Sequence, residues 1–160
     1  MPNMPNVGQV NLYPSDGGCP MHVDARGVGA AIAMVSLGSP AVLDLIHEER
    51  YAQLVDQHGN EEEAEAAAAT DEALVQVLLE PLSVVILSNE SRYHWLHGVK
   101  EGAHSFDGAP VDRGVRTSIV LWSTDTDPDA PPFKKPSKNA RQAVLVAAPT
   151  KRAAFKLPGM

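Results

Sequence analysis

Asn11-Leu12-Tyr13-Pro14-Ser15-Asp16-Gly17-Gly18-Cys19-Pro20-Met21-His22-Val23-Asp24 reads as two extended pieces joined by a turn. Val10 and Leu12 fall on one face of the first piece, Asn11 and Tyr13 on the other, which is the period of a strand over Val7 to Tyr13. Pro14 to Pro20 holds two prolines, two glycines and an aspartate, and breaks the chain. The second piece, Met21 to Asp24, ends in a histidine and a carboxylate two residues apart. In an extended chain such residues point the same way, so an imidazole nitrogen and a carboxylate oxygen can reach one small cation together. A histidine from elsewhere would complete a two-His-one-carboxylate facial set, which leaves coordination positions open. The plainer reading is a turn histidine and a solvated aspartate.

Working outward, Ala30 to Leu37 is a nearly continuous apolar run that ends in Gly38-Ser39-Pro40. Ala41 to Ile46 is another, so a hairpin is expected between the two. From His47 to Ala73 the chain is rich in Glu and Ala, and a solvated helical insertion is expected there. Asn60 is its natural N-cap, with Glu61, Glu62 and Glu63 in the first turn, where the helix dipole favours negative charge. Val75 to Leu79 and Ser83 to Leu87 are strands broken at Glu80-Pro81, Gly102 to Gly114 is a loop, and Val115 to Trp122 is a strong last strand. Seven or eight short strands with one Ala/Glu-rich helical insertion predict an all-β sandwich or jelly roll. Residues 1–124 form its core, with the insertion at 47–73. Residues 125–160 form a Pro-rich linker and basic tail, with one edge strand over Ala143 to Ala148.

The 160 residues suit one domain, and 44% hydrophobic with 21% charged residues is a globular balance. The net charge of −7 argues against coating nucleic acid by bulk charge. The sign is uneven: seven Lys/Arg stand against three Asp after Thr124, leaving −11 on the part before it. The tail (Lys134, Lys135, Lys138, Arg141, Lys151, Arg152, Lys156) suits local phosphate contact or a plain solvated tail. Cys19 is the only cysteine, so no internal disulfide forms. No basic stretch followed by an apolar run opens the sequence, and the longest apolar run, Val28 to Leu37, is too short to span a bilayer. A soluble monomer of the cytoplasm or nucleus is expected.

Two histidines, His94 and His97, lie in the aromatic segment Arg92 to Val99, and either can supply the third ligand. Tyr93 and Trp95 flank the first of them and can serve as core or as a surface for stacking a base. Arg116 sits in the apolar strand Val115 to Leu121 with no acidic neighbour. A buried guanidinium there needs an anion, and a ligand carboxylate would supply one by a bidentate contact. A head that reaches solvent is the alternative.

Taken together, Asn11-x-Tyr13, a Gly-containing turn, His22-x-Asp24, His97-Gly98 and Arg116 resemble the Fe(II)- and 2-oxoglutarate-dependent dioxygenases of the AlkB family. The segments Val35 to Asp44, Leu78 to Leu87, Leu96 to Val99 and Arg113 to Ser118 are most like the subgroup of its homologue numbered six. The resemblance covers roughly Val10 to Trp122. It implies a double-stranded β-helix with iron held by His22, Asp24 and His97. It implies that Asn11 and Tyr13 contact 2-oxoglutarate, that Arg116 pairs with its distal carboxylate, and that Ser118 adds a polar contact. The implied reaction takes O2 and 2-oxoglutarate to succinate and CO2 while an N-methyl group on RNA or DNA leaves as formaldehyde. The chain departs from the family where a second arginine is usual six residues after the first: Trp122 stands there, with Arg113 a conceivable substitute. It also begins almost at the first barrel strand. Two other readings remain open: a catalytically degenerate binding or scaffold module, and a dioxygenase acting on protein side chains.

Overall fold

A computed structural model of the chain describes residues 4–25 and 28–124, together with the backbone of a strand at Leu145–Ala147. Two antiparallel sheets make up the body. The larger has the order β1 (Val7–Tyr13), β10 (Arg116–Trp122), β3 (Ala31–Gly38), β6 (Ser83–Ser88), β11 (Leu145–Ala147). The smaller has the order β2 (Cys19–His22), β7 (Trp95–Val99), β4 (Ala41–His47), β5 (Val75–Leu79). The chain passes from sheet to sheet at nearly every turn, which makes this a double-stranded β-helix, or jelly roll.

Period-two alternation builds the packed part of the interior. Ile32 and Met34 of β3, Val75, Val77 and Leu79 of β5, and Val85 and Leu87 of β6 all point between the sheets and are buried. Strand β4 is buried on both faces, because Leu43 and Leu45 join that core while Ile46 packs outward against helices.

Those helices correct the expectation of a solvated insertion. There are two, α1 (Glu48–His58) and α2 (Glu61–Ala68), and they cover the outer face of the smaller sheet. Leu54, Ala64 and Ala68 form the buried contact with Ile46. Alanines four apart share one helix face and let α2 approach closely, while Glu61, Glu62 and Glu63 are exposed. Asn60 caps α2 as expected, its Oδ1 accepting from the Glu63 N–H at 2.8 Å.

Three further elements differ from their sequence reading. Gly38-Ser39-Pro40 is not a hairpin turn, since β3 and β4 lie in different sheets. It is a crossing, in which the Ser39 hydroxyl donates to the Gly114 carbonyl at 3.1 Å and accepts from the Gly114 N–H at 2.7 Å. The segment read as a loop over Gly102 to Gly114 contains a two-stranded hairpin, β8 (His104–Phe106) with β9 (Ala109–Val111). A short helix, α3 (Glu90–Tyr93), precedes β7. Within the stretch read as an edge strand, β11 pairs antiparallel with β6. The remainder of the linker and the basic tail lie outside the described residues.

Candidate metal centre

Strands β2 and β7 bring the two histidines together. They pair antiparallel with His22 directly opposite His97, and the imidazole centroids are 4.5 Å apart. Gly98, beside His97, lets the strands approach this closely. A Cβ there would meet the Met21 sulfur at 2.8 Å and the Cys19 carbonyl at 2.9 Å. Strand β2 stops at His22, so Asp24 reaches the pair from beyond the strand end and not from within an extended strand. Its two oxygens divide between the rings: Oδ1 lies 3.7 Å from His22 Nε2, and Oδ2 lies 3.4 Å from His97 Nε2. One donor atom from each of the three residues falls within 4.8 Å of the others, a cluster that can hold a metal ion.

The surroundings prepare these donors. A carbonyl only accepts, so the 2.8 Å contact of His22 Nδ1 with the Pro20 carbonyl places the proton on Nδ1 and turns Nε2 toward Asp24. The Asp24 carboxylate pushes the His22 imidazole up to about 10, with the Cys19 sulfur adding to it against partial burial. At His97 burial dominates and holds the ring down to about 4, against the pull of Asp24, so this ring is neutral at pH 7. Burial raises the Asp24 carboxyl, but contact with His22 and the fields of His97 and Arg92 outweigh it and hold the group below its ordinary value.

His94 is not part of the cluster. Its Nδ1 is 2.6 Å from Glu48 Oε1, beneath α1 on the outer side of the smaller sheet. Spacing alone left both histidines open and the resemblance favoured His97; His94 caps α3 just before β7, whereas His97 lies within that strand.

Opposite the cluster stand β1 and β10. Asn11 pairs with Ser118 and Tyr13 with Arg116 across the ladder, and all four line the same cavity of about 380 Å³ as His22, Asp24 and His97. Strand β1 is inverted with respect to hydrophobicity: Asn11 and Tyr13 face the cavity, while Val10 and Leu12 are 68% and 71% exposed. Arg116 is 3% exposed and has no carboxylate partner among the described residues. Its Nη2 donates to Ser36 Oγ at 2.9 Å, its guanidinium stands 5.5 Å from the centroid of the Tyr13 ring, and its buried Nε meets no acceptor. Burial pulls its pKa below the ordinary value. A buried cation with unused donors at a cavity wall is the receptor that a dicarboxylate needs, so a keto acid with a distal carboxylate fits this cradle.

Trp122 continues the inward row of β10 and lines the cavity beyond Ser118 and Val120. Arg113 does not replace the missing second arginine. Its guanidinium donates to the carbonyls of Gly17 at 2.6 Å and Gly102 at 2.8 Å, away from the cavity.

Two residues that sequence reading missed hold the ligand strand. Arg92 is 1% exposed and donates to backbone carbonyls around Asp24. Glu65 of α2 accepts from the Met21 N–H at 3.3 Å, which ties the insertion to the strand bearing His22. An arginine two residues before a histidine is no motif by itself. The available signal was a cation inside a largely aromatic segment.

Fold and site together define a jelly roll built to hold one metal ion and a small carboxylate co-substrate. A sequence profile of the 2OG-Fe(II) oxygenase superfamily matches residues 2–139, and the chain belongs to that family. Fe(II) and 2-oxoglutarate are the cofactors that family uses, and the donors described above fit both. The chain is also similar to a mouse (Mus musculus) protein, the alpha-ketoglutarate-dependent dioxygenase alkB homolog 7, mitochondrial, with 32% identity over 104 residues. That match covers 64% of this chain and 38% of the relative, so the chain spans well under half of the mouse protein's length. Among the described residues no helix is long and apolar enough to cross a membrane.

Proposed function

We propose that the chain is an AlkB-type dioxygenase in which His22, Asp24 and His97 bind Fe(II), and Arg116, Tyr13, Asn11 and Ser118 seat 2-oxoglutarate. The observation that carries this is the shared cavity: three metal donors on one wall and an unpaired buried guanidinium on the other. When bound, Fe(II) and 2-oxoglutarate would activate O2, the oxidant, so that one oxygen atom ends in succinate as CO2 leaves and the other in the oxidised substrate. The protein's own part is orientation and shelter. Arg116 fixes the far end of the keto acid, the Tyr13 ring covers the guanidinium, and Val28, Ile32, Met34 and Val120 keep that wall of the cavity apolar. The substrate class is an N-methylated nucleic acid, RNA ahead of DNA, whose oxidised methyl group is lost as formaldehyde. The AlkB likeness supports that class; the segments quoted above support the subgroup numbered six, while the mouse relative supports the broader type. Every group named lies in one chain, so a monomer suffices, and the cytoplasm or nucleus is the compartment this substrate implies.

A second reading rests on Trp122. An aromatic wall where the resemblance puts a second arginine, with Arg113 engaged elsewhere, favours a degenerate binding module. An anaerobic titration with Fe(II) and then 2-oxoglutarate decides between them. The dioxygenase reading requires a visible metal-to-ligand charge-transfer band in the wild type that is absent in His22→Ala and needs far more 2-oxoglutarate to appear in Arg116→Ala. Folded wild type without the band leaves the binding module. Formaldehyde release from methylated oligonucleotides, with none from methylated peptides, then separates nucleic acid from protein as substrate.

A further inference from the structure

The geometry assigns a role to Arg92: it is a positioning residue that aims the Asp24 carboxylate at the metal. The inference rests on the metal-site reading above. The two histidines need no such help, because the β2–β7 ladder places them opposite each other. Asp24 stands beyond the end of β2, outside that ladder. Its main chain is held instead by a fork. Arg92 Nη1 donates to the Asp24 carbonyl at 3.1 Å, and Nη2 donates to the carbonyls of Ala25 and Val28, both at 2.7 Å. Nε donates to the Gly29 carbonyl at 3.3 Å. Four carbonyls before and after residues 26–27 thus converge on one guanidinium.

Arg92 is buried without a carboxylate partner among the described salt bridges, and the carbonyls compensate its charge. The planar fork matters. Lysine offers a point charge that cannot span carbonyls from Asp24 to Gly29. The segment is gripped from the other side as well: the Gly29 N–H donates to the Ser123 carbonyl at 2.9 Å, and a Cβ on Gly29 would meet that oxygen at 2.2 Å. Arg92 lies in α3, which leads directly into the strand carrying His97. One short segment therefore bears one ligand and sets the bearing of another.

Cobalt(II) is a suitable probe, because its visible spectrum reports both affinity and ligand geometry without turnover. Arg92→Lys and Gly29→Ala are titrated beside the wild type and beside Leu87→Ala, a buried core variant that takes no part in the clamp's hydrogen bonds. The expected result is a Co(II) affinity lower by about tenfold or more in both clamp variants, with an altered visible band. Leu87→Ala, although less stable, binds as the wild type does. Either clamp variant that is folded by circular dichroism and matches the wild type in affinity (within about twofold) and spectrum overturns the positioning role. Equal weakening in Leu87→Ala overturns it too, since general destabilisation then accounts for the loss. A folded wild type that takes up no Co(II) overturns the metal-site reading itself, which is a distinguishable failure.

Discussion

The space between the two sheets is filled in one region and open in the other. Around Leu45, Val77 and Leu87 it is packed with aliphatic side chains, each almost wholly buried. Around Arg116 and His97 the same two layers enclose a cavity whose apolar wall is set with one guanidinium, two imidazoles, a carboxylate and hydroxyls. Both regions follow the same period-two alternation, so the backbone does not distinguish them. What differs is which side chains the inward positions carry. The packed region supplies stability from apolar burial, and the open region spends part of it on polar groups that await a partner.

That contrast can be broken at either end. The largest expected effect is at the open end: Asp24→Ala should abolish metal binding in a protein that still folds, as read by Co(II) or Fe(II) titration beside circular dichroism. At the packed end, Leu87→Ala should cost about 3 kcal/mol in urea unfolding, the usual range for a fully buried leucine. Metal binding by its folded fraction should persist. Arg116→Ala should leave metal affinity intact and weaken 2-oxoglutarate by roughly 2 kcal/mol, about thirtyfold, the worth of a charged hydrogen-bonded contact. A variant that loses metal and co-substrate alike would show that the two walls of the cavity are not separable.

His104 sharpens the comparison through pH. It is buried, its Nδ1 accepts from the Val42 N–H at 3.0 Å, and its Nε2 donates to the Lys100 carbonyl at 2.6 Å. Burial holds its pKa below the ordinary 6.5; Arg113 and Lys100 add to this, while the Lys100 carbonyl and Asp44 oppose it. The unfolded chain therefore binds this proton more readily. The contribution of His104 to stability should be complete above pH 6.5 and decline as pH falls through 6.5 toward its folded value. Urea melts across that range, wild type minus His104→Phe, isolate it. The smallest effect is at the insertion: Asn60→Ala should cost about 1 kcal/mol through loss of the α2 cap and leave metal affinity unchanged.

Much of this was legible. Most strands from Val7 to Trp122, though neither β7 nor the β8–β9 hairpin, announce themselves by alternation and by Gly/Pro breaks, and Asn60 by its position before three glutamates. Of the seven proposed site residues, Asn11 and Tyr13 on β1 and Arg116 and Ser118 on β10 share a face as i and i+2 positions, His22 and His97 meet across the β2–β7 ladder, and Asp24 reaches in from beyond β2. Other features were hidden for physical reasons. Gly38-Ser39-Pro40 has the composition of a hairpin, but composition does not say whether the next strand returns to the same sheet. Glutamate-rich helices look solvated until a partner for Ala64 and Ala68 appears in Ile46. Arg92 showed only as a cation inside a largely aromatic segment, because its acceptors are backbone carbonyls, which every sequence has.

The ladders that build the cavity join distant parts of the chain, Val7 with Trp122 and His22 with His97. No short segment brings two metal donors from different strands together, so the cavity appears only when nearly the whole sheet pair has closed. Folding dominated by such distant pairings is slow, and the metal cannot serve as its nucleus. Iron would enter last, binding the native state and scarcely the unfolded one, and its stabilisation would keep growing as the logarithm of free metal concentration once that concentration exceeds Kd.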